Sequence, residues 1–436
     1  MDTKRRGTIL VVAAVALLLA TMGASAALAP DTAVAGTDDD ERRTLVGVQG
    51  GGVGWHQYGS VAAYQGNEVA WRLAETDSYF DVTELDNGSV MAGFMDGGYE
   101  DCGPYESPCT HTGFRILDPE TKTVEYEYSY PVRTSKNSEA HDVEKLDDGE
   151  YLLSDMEYEG LRIVKNGDVV WQWNASSYYD APDDATKVDW LHINDVDVIG
   201  EDQFLVSIRN ANQILVVDRQ DGVVETINAD PGGSDASCTH EGQLADTDGD
   251  GDVRCGDPDV LDHQHNPQWL GGEPTGDGEA AVLVADSDNN RVVELHRENG
   301  KWEPAWTLER AGGIELDWPR DADRLANGNT LVTDTLNRRI FEITPNGTVV
   351  WSVSTDRIPY EADRVPEGEP PEGEWYVGES PNRAGGGGIP LLAPAAALLP
   401  GVFPWLPFWF NGAQLGLTLV SIGVAAAGAR DLWRAR

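Results

Sequence analysis

One motif returns every ~50 residues along this chain and restricts what it can fold into. The tracts FDVTELDNGSVMAGF, HDVEKLDDGEYLLSD, NDVDVIGEDQFLVSI, HNPQWL…AAVLVAD and RDADRLANGNTLVTD each read as a short strand, a polar turn and a second, apolar strand. The chain then adds two more strands, as in GLRIVKNGDVVWQW, NQILVVDRQDGVVETI, NRVVELHRENGKWEPAWTL and NRRIFEITPNGTVVWSV. The turns NGD, DGV, ENG and PNG are hairpin chemistry, because Asn, Asp and Gly accept a positive φ. A repeating four-strand unit is the signature of propeller blades. Five units are clear, and Gly52 to Leu73, ending NEVAWRL, supplies a weaker sixth. The expected fold class is all-β: a six-bladed β-propeller over residues 44–356.

The flanks differ in composition. Residues 1–29 begin with a basic TKRR, continue as an apolar run and end in small residues, the pattern of a signal peptide or signal anchor. Residues 30–43 read as a linker and 357–388 as an acidic, Pro/Gly-rich linker. Residues 389–430 are apolar enough for one or two membrane segments, followed by a basic tail at 431–436. Positive charge in RDLWRAR belongs on the cytoplasmic side, so the propeller is expected at the cell membrane, facing outward. Four cysteines suit an exported protein, and the two local pairs, Cys102–Cys109 and Cys238–Cys255, are the natural disulfides among three connectivities.

The net charge is −44, with 75 Asp and Glu against 31 Lys and Arg. This excludes a nucleic-acid footprint, which must be basic. It reads as a solvated surface kept soluble in high salt, as in a halophile. In such a chain clustered nitrogen side chains are informative. His141, His192, His263 or His265, and Arg320 all fall at the starts of innermost strands, with Arg209 at the end of a second strand and His56 in GWHQYG as a further candidate. Repeat symmetry brings those starts to one channel mouth. Several imidazoles and an Arg around one pit need a counter-charge, which predicts an oxyanion ligand: sulfate, phosphate or carboxylate. Zinc is the competing ligand, and Arg209 disfavours it. Trp190 and Trp318, two positions before His192 and Arg320, and Trp269 after His265 would suit a flat aryl group or blade packing.

A separate tract, DTDGDGDVRCGD, places Asp246, Asp248, Asp250, the Asp252 carbonyl and Asp257 at calcium-loop positions, with Asp replacing the usual final Glu. Structural Ca2+ is expected there. Asn87, Asn174 and Asn346 lie in N-x-S/T acceptors, and Asn87 and Asn346 serve equally well as turn residues.

The tracts HDVEKLDDGEYLL, DWLHINDV…LVSIRNANQILVVD and QHNPQW together resemble the arylsulfate sulfotransferase (ASST) family, with His192 and Arg209 seventeen residues apart. The resemblance implies a six-bladed propeller that moves a sulfuryl group from an aryl sulfate to a phenol by a ping-pong route through sulfohistidine, with no nucleotide donor and no catalytic cofactor. It further implies His265 as nucleophile and His141, His192 and Arg209 as groups holding sulfuryl oxygens and assisting proton transfer. Arg320, Trp190, Trp318 and His263 would then contact substrate. Unlike better-known bacterial members, this chain leaves no room before Thr44 for an N-terminal β-sandwich, and Arg320 occupies the last blade's strand start. The alternatives are a non-catalytic propeller binding a glycan, peptide or cell-surface partner, and a hydrolase using the same pit.

Overall fold

The computed structural model describes residues 2–30, 32–34, 42–52, 54–136, 138–146, 149–229, 238, 244, 246, 253–370, 372–377, 399, 403 and 406–435. Two compact units result: residues 32–384, and a second unit made of 1–31 with 385–436.

The first unit is a ring of six four-stranded antiparallel sheets among the described residues. In chain order the innermost strands of the second to sixth blades are Ser78–Glu84, Val143–Lys145, Ile193–Gly200, His265–Gly272 and Pro319–Arg324. The first blade is composite. Its three N-terminal strands, Arg43–Gly50, Gly59–Gln65 and Glu68–Thr76, are completed by Ile358–Val365, which pairs antiparallel with Arg43–Gly50 as the innermost strand. This corrects two expectations. The propeller runs past residue 356 to Val365, and the segment expected to be a linker starts with a strand. The next described residues also dock: the Gly373 N–H and the Trp375 indole both donate to the Leu270 carbonyl, and Tyr376 is buried. Pairing the two chain ends in one sheet closes the ring without a free inner edge.

Sequence patterning explains the packing. Strands whose faces are both covered carry apolar residues on both sides, and each joint between blades holds its own apolar cluster. Phe94 and Leu45 meet between the first and second blades, Phe114 and Leu153 between the second and third, and Leu161 and Phe204 between the third and fourth. Leu205 and Leu283 belong to clusters beyond these, as do Phe341 and Ile340 at the last two joints.

At the axis the fastening is polar. The Asp142 carboxylate accepts the Val196 N–H (2.6 Å), Asp81 accepts Val143 N–H (3.3 Å), Glu361 accepts Val82 N–H (3.1 Å) and Asp321 accepts Ala362 N–H (3.0 Å). Gln268 accepts Arg324 N–H (2.6 Å), and Asn194 donates to the Gln264 carbonyl (3.0 Å). Each innermost strand is thereby tied to the next, around the whole ring. The first acidic residue of FDV, HDV, RDAD and YEAD is therefore an inter-blade clasp, buried rather than solvated.

Both expected disulfides are present, Cys102–Cys109 and Cys238–Cys255. Asp248, Asp250 and Asp252 of the calcium-loop tract lie outside the described residues. Asp257 accepts the Asp259 N–H through its carboxylate.

The second unit contains two apolar helices, α1 (Thr3–Leu28) and α2 (Gly412–Arg434), each long and apolar enough to cross a membrane. They pack antiparallel: Arg6 pairs with Asp431 (3.4 Å) at one end, and Gln414 donates to Ser25 (2.9 Å) at the other. They approach closely at Gly7 and Gly428, where a β-carbon on Gly7 would come within 2.8 Å of the Gly428 carbonyl oxygen. Small residues at a crossing are how membrane helices gain van der Waals contact. The first, Pro-rich half of the 389–430 tract lies largely outside the described residues.

Candidate active site

Each blade contributes one side chain, from at or near the start of its innermost strand, to a single buried cluster, termed the mouth. In chain order these are Phe80, His141, His192, His265, Arg320 and, from the closing strand, Tyr360. Tyr360 is the hub. Its ring stacks on His141 (5.1 Å, 8°), meets Phe80 at 5.4 Å and His265 at 6.2 Å, and lies 4.9 Å from the Arg320 guanidinium. His141 in turn stacks on His192 at 5.4 Å. His141, His192 and His265 therefore form one cluster with Arg320, and Arg209 joins through His192.

His192 sits in a left-handed backbone conformation (φ 56°), a strained choice for a residue with a β-carbon. The buried Glu159 carboxylate enforces it by accepting the N–H groups of Leu191 (3.0 Å), His192 (2.7 Å) and Ile193 (3.0 Å). The imidazole is clamped at both nitrogens: Nδ1 on Asp189 (2.8 Å) and Nε2 on Arg209 Nη1 (2.9 Å). Burial raises the Asp189 carboxyl, but His192 and Arg209 outweigh it and hold it below its ordinary value. Asp189 is therefore an acceptor, Nδ1 carries the proton, and Nε2 accepts from Arg209. Burial and Arg209 together depress the His192 pKa.

His265 is held by another route. Its Nδ1 lies 2.8 Å from Ser287 Oγ and 3.1 Å from the His263 carbonyl, and Ser287 donates its own proton to the Pro319 carbonyl. Both Nδ1 partners are acceptors, so Nδ1 bears hydrogen and Nε2 keeps its lone pair. Burial, reinforced by Arg320, Arg209 and the two other histidines, keeps His265 well below the ordinary imidazole pKa. Burial, with His192, Arg320 and His56 adding to it against Glu139, does the same for His141, whose Nδ1 has no hydrogen-bond partner among the described residues.

Arg320 is 5 % exposed and makes no ion pair among the described residues; it donates to Gln49 and packs on Trp318 at 4.7 Å. Burial depresses its pKa to about 10. A buried guanidinium without a carboxylate partner is a binding element for an anion. Acids beside the cluster are already engaged, Asp189 by His192, Glu139 by His56 (3.0 Å) and Asp288 by His263.

Other expected site residues divide. Trp318 lies at the mouth, its ring 4.9 Å from Trp55 and 5.9 Å from His265. His263 is at the rim, paired to Asp288 at 2.9 Å. Trp190 does not line the mouth: it is 1 % exposed, inside the cluster between the third and fourth blades, and Trp269 is likewise core. His56 is not at a strand start; it arrives from the loop between Gly50 and Gly59 and touches Ser78 and Glu139. Tyr360, Phe80, Trp55 and Glu159 had no place in the sequence reading. Tyr360 was detectable, since YEAD has the register of RDAD.

The fold is a closed six-bladed β-propeller in which imidazole and guanidinium groups converge on one buried, partly aromatic mouth. The match to arylsulfotransferase (ASST) covers residues 65–305, more than half the chain, and the protein belongs to that family. Membership makes it a sulfotransferase at the level of the family. No protein of curated function matches the chain. Solved structures with a similar course include a protein of unknown function from Bacteroides caccae (13 % identity, TM-score 0.48, covering 75 % of this chain and 99 % of that one). Virginiamycin B lyase from Staphylococcus aureus (12 %, 0.36, 62 % and 68 %) and hydrazine synthase from Kuenenia stuttgartiensis (10 %, 0.40, 69 % and 82 %) are further examples. These distant likenesses carry no information on chemistry.

Proposed function

We propose that the protein transfers a sulfuryl group from an aryl sulfate ester to a phenolic acceptor, in two displacements through a sulfohistidine at His265. The observation that carries this reading is the fixed tautomer of His265, an uncharged Nε2 nucleophile beside Arg320. In the first displacement Nε2 attacks sulfur, the N–S bond forms, the S–O bond to the aryl group breaks, and the aryl oxide leaves. In the second, the acceptor phenol gives its proton to the neutral imidazole of His141, whose Nδ1 has no partner among the described residues, while its oxygen attacks sulfur and the N–S bond breaks. Charge spread over the equatorial oxygens is stabilised by Arg209 and Arg320, by analogy with phosphoryl transfer. Trp55 and Trp318 offer flat surface to the aryl group.

The test is release of a chromogenic phenol from its sulfate ester by the full chain. Release should accelerate with added phenol; release indifferent to phenol would point to hydrolysis, and no release to a binding protein. Because the histidines are depressed, they are uncharged in the free enzyme until the pH falls below the ordinary ~6.5 of imidazole. The acidic limb of the kcat/KM profile should therefore lie below that value, and a limb at or above it counts against a neutral nucleophile.

We further propose that the propeller faces outward and that α1 is a retained anchor. The antiparallel helix pair puts TKRR at the start of α1 and the Arg430–Arg434 end of α2 on one side. Positive charge marks that side as cytoplasmic, which leaves the connecting residues outside. Intact-mass measurement on membrane-extracted protein should find the residues of α1 present. A chain beginning after Ala26 or Ala29 would overturn this.

A further inference from the structure

Beyond the histidine mouth the channel is lined with acid, which the sulfuryl reading does not use. The strands that deliver His141, His192 and Arg320 continue into Glu144, Asp197, and Asp321 and Asp323, some 3–17 Å further on at ~3.3 Å per residue. Glu369, from the segment after the closing strand, reaches both groups. Ligand oxygens of Glu144, Asp197 and Glu369 all lie within 4.8 Å of one another, as do those of Asp321, Asp323 and Glu369. Five carboxylates from three blades and the tail segment thus form two adjoining trios that share Glu369.

Acidic clusters are common in this chain, and a second observation separates this one. Asp321 is 0 % and Asp323 2 % exposed, yet Asp321 Oδ1 and Asp323 Oδ2 have no hydrogen-bond partner among the described residues. The other oxygen of Asp321 is used, on Thr333 (3.0 Å) and the Ala362 N–H, so the group is held with one lone-pair atom left for a ligand. None of the five carboxylates makes an ion pair with a described Lys, Arg or His. Buried acceptors must be satisfied, and clustered carboxylates must be neutralised.

We propose that this group binds a calcium ion on the propeller axis, joining the third, fourth and sixth blades to the tail segment. An all-oxygen, carboxylate-rich donor set of flexible geometry suits Ca2+, whereas magnesium demands a tighter octahedron and the transition metals draw imidazole or thiolate. The role is structural, since these carboxylates already fasten blades to one another, as Asp321 does through the Ala362 N–H. It stands apart from the calcium-loop tract at 246–257.

The test uses the full chain in detergent, stripped of divalent ions, with Asp248→Asn/Asp250→Asn as background to silence the loop tract. Calcium alone is titrated by calorimetry and by melting temperature. One ion per chain should bind and raise the melting temperature. Glu369→Gln and Asp323→Asn should each weaken that binding about tenfold or more. In the absence of calcium these neutral variants should melt no lower than the background, because they relieve like-charge repulsion. No calcium bound in the background, or unchanged affinity in variants that fold, would overturn the proposal. Should a variant not fold, the stoichiometry of the background alone decides.

Discussion

Replacing His265 with Asn should lower phenol-dependent turnover of an aryl sulfate by about 10³-fold or more, the scale on which covalent catalysis fails without its nucleophile. The Asn amide overlays the Cγ–Nδ1 part of the ring and can still meet Ser287, so folding should survive. What disappears is Nε2, whose lone pair is exposed because Ser287 and the His263 carbonyl both draw on the Nδ1 hydrogen. The loss should fall on kcat, with aryl sulfate binding largely kept, since Arg209 and Arg320 remain. Acid-quenched wild-type protein, incubated with donor and no acceptor, should carry a sulfuryl mass increment on the peptide containing His265, and the variant should carry none. A variant retaining more than about a tenth of wild-type turnover would remove His265 from the nucleophile's role. Ser287→Ala is a milder probe of the same point. It removes one of the two acceptors that fix the tautomer, leaves the His263 carbonyl and the ring in place, and should reduce kcat by a smaller factor.

The strand repeat was legible because period-two apolar alternation and turn residues are local. The histidines were legible because equivalent repeat positions converge by symmetry. What escaped depends on non-local pairing. Tyr360 belongs to a strand whose partner, Arg43–Gly50, is some three hundred residues away, and its surroundings have the composition of a linker. Trp190 was misplaced by assuming alternation: residues two apart share a face only in extended chain, and the left-handed turn at His192 breaks that rule. His192 turns into the mouth and Trp190 into the core. The acidity was misassigned in part for a similar reason. Composition cannot separate a solvated Asp from Asp142 or Asp321, whose carboxylates are consumed by backbone N–H groups of the next blade. The D in HDV looked like surface charge and is a joint.

Glu159 shows how far such buried acids govern the site. Glu159→Ala should lower the melting temperature by about 4 °C and kcat/KM by about tenfold to a hundredfold. The first figure follows from three backbone N–H groups left without an acceptor in a dry interior. Each costs ~1–3 kcal/mol, so ~3 kcal/mol is a low total, set against an unfolding entropy of ~2.1 cal/mol/K per residue over the propeller. The second follows because those N–H groups belong to Leu191, His192 and Ile193, and the carboxylate alone fixes the positive φ that aims His192 between Asp189 and Arg209. Burial and the nearby Asp189 push the Glu159 carboxyl up to about 8, against the pull of its three N–H bonds. Either protonation state keeps an acceptor oxygen, so Glu159→Gln should recover part of both losses. A general loss of stability can be told from positioning with Leu215→Ala, a cavity variant in the same inter-blade cluster that should cost ~2–5 kcal/mol. Assayed well below either melting point, Leu215→Ala should keep wild-type kcat while Glu159→Ala does not. Equal kinetic losses in both would reduce Glu159 to a fold-stabilising residue and leave the orientation of His192 without its proposed support.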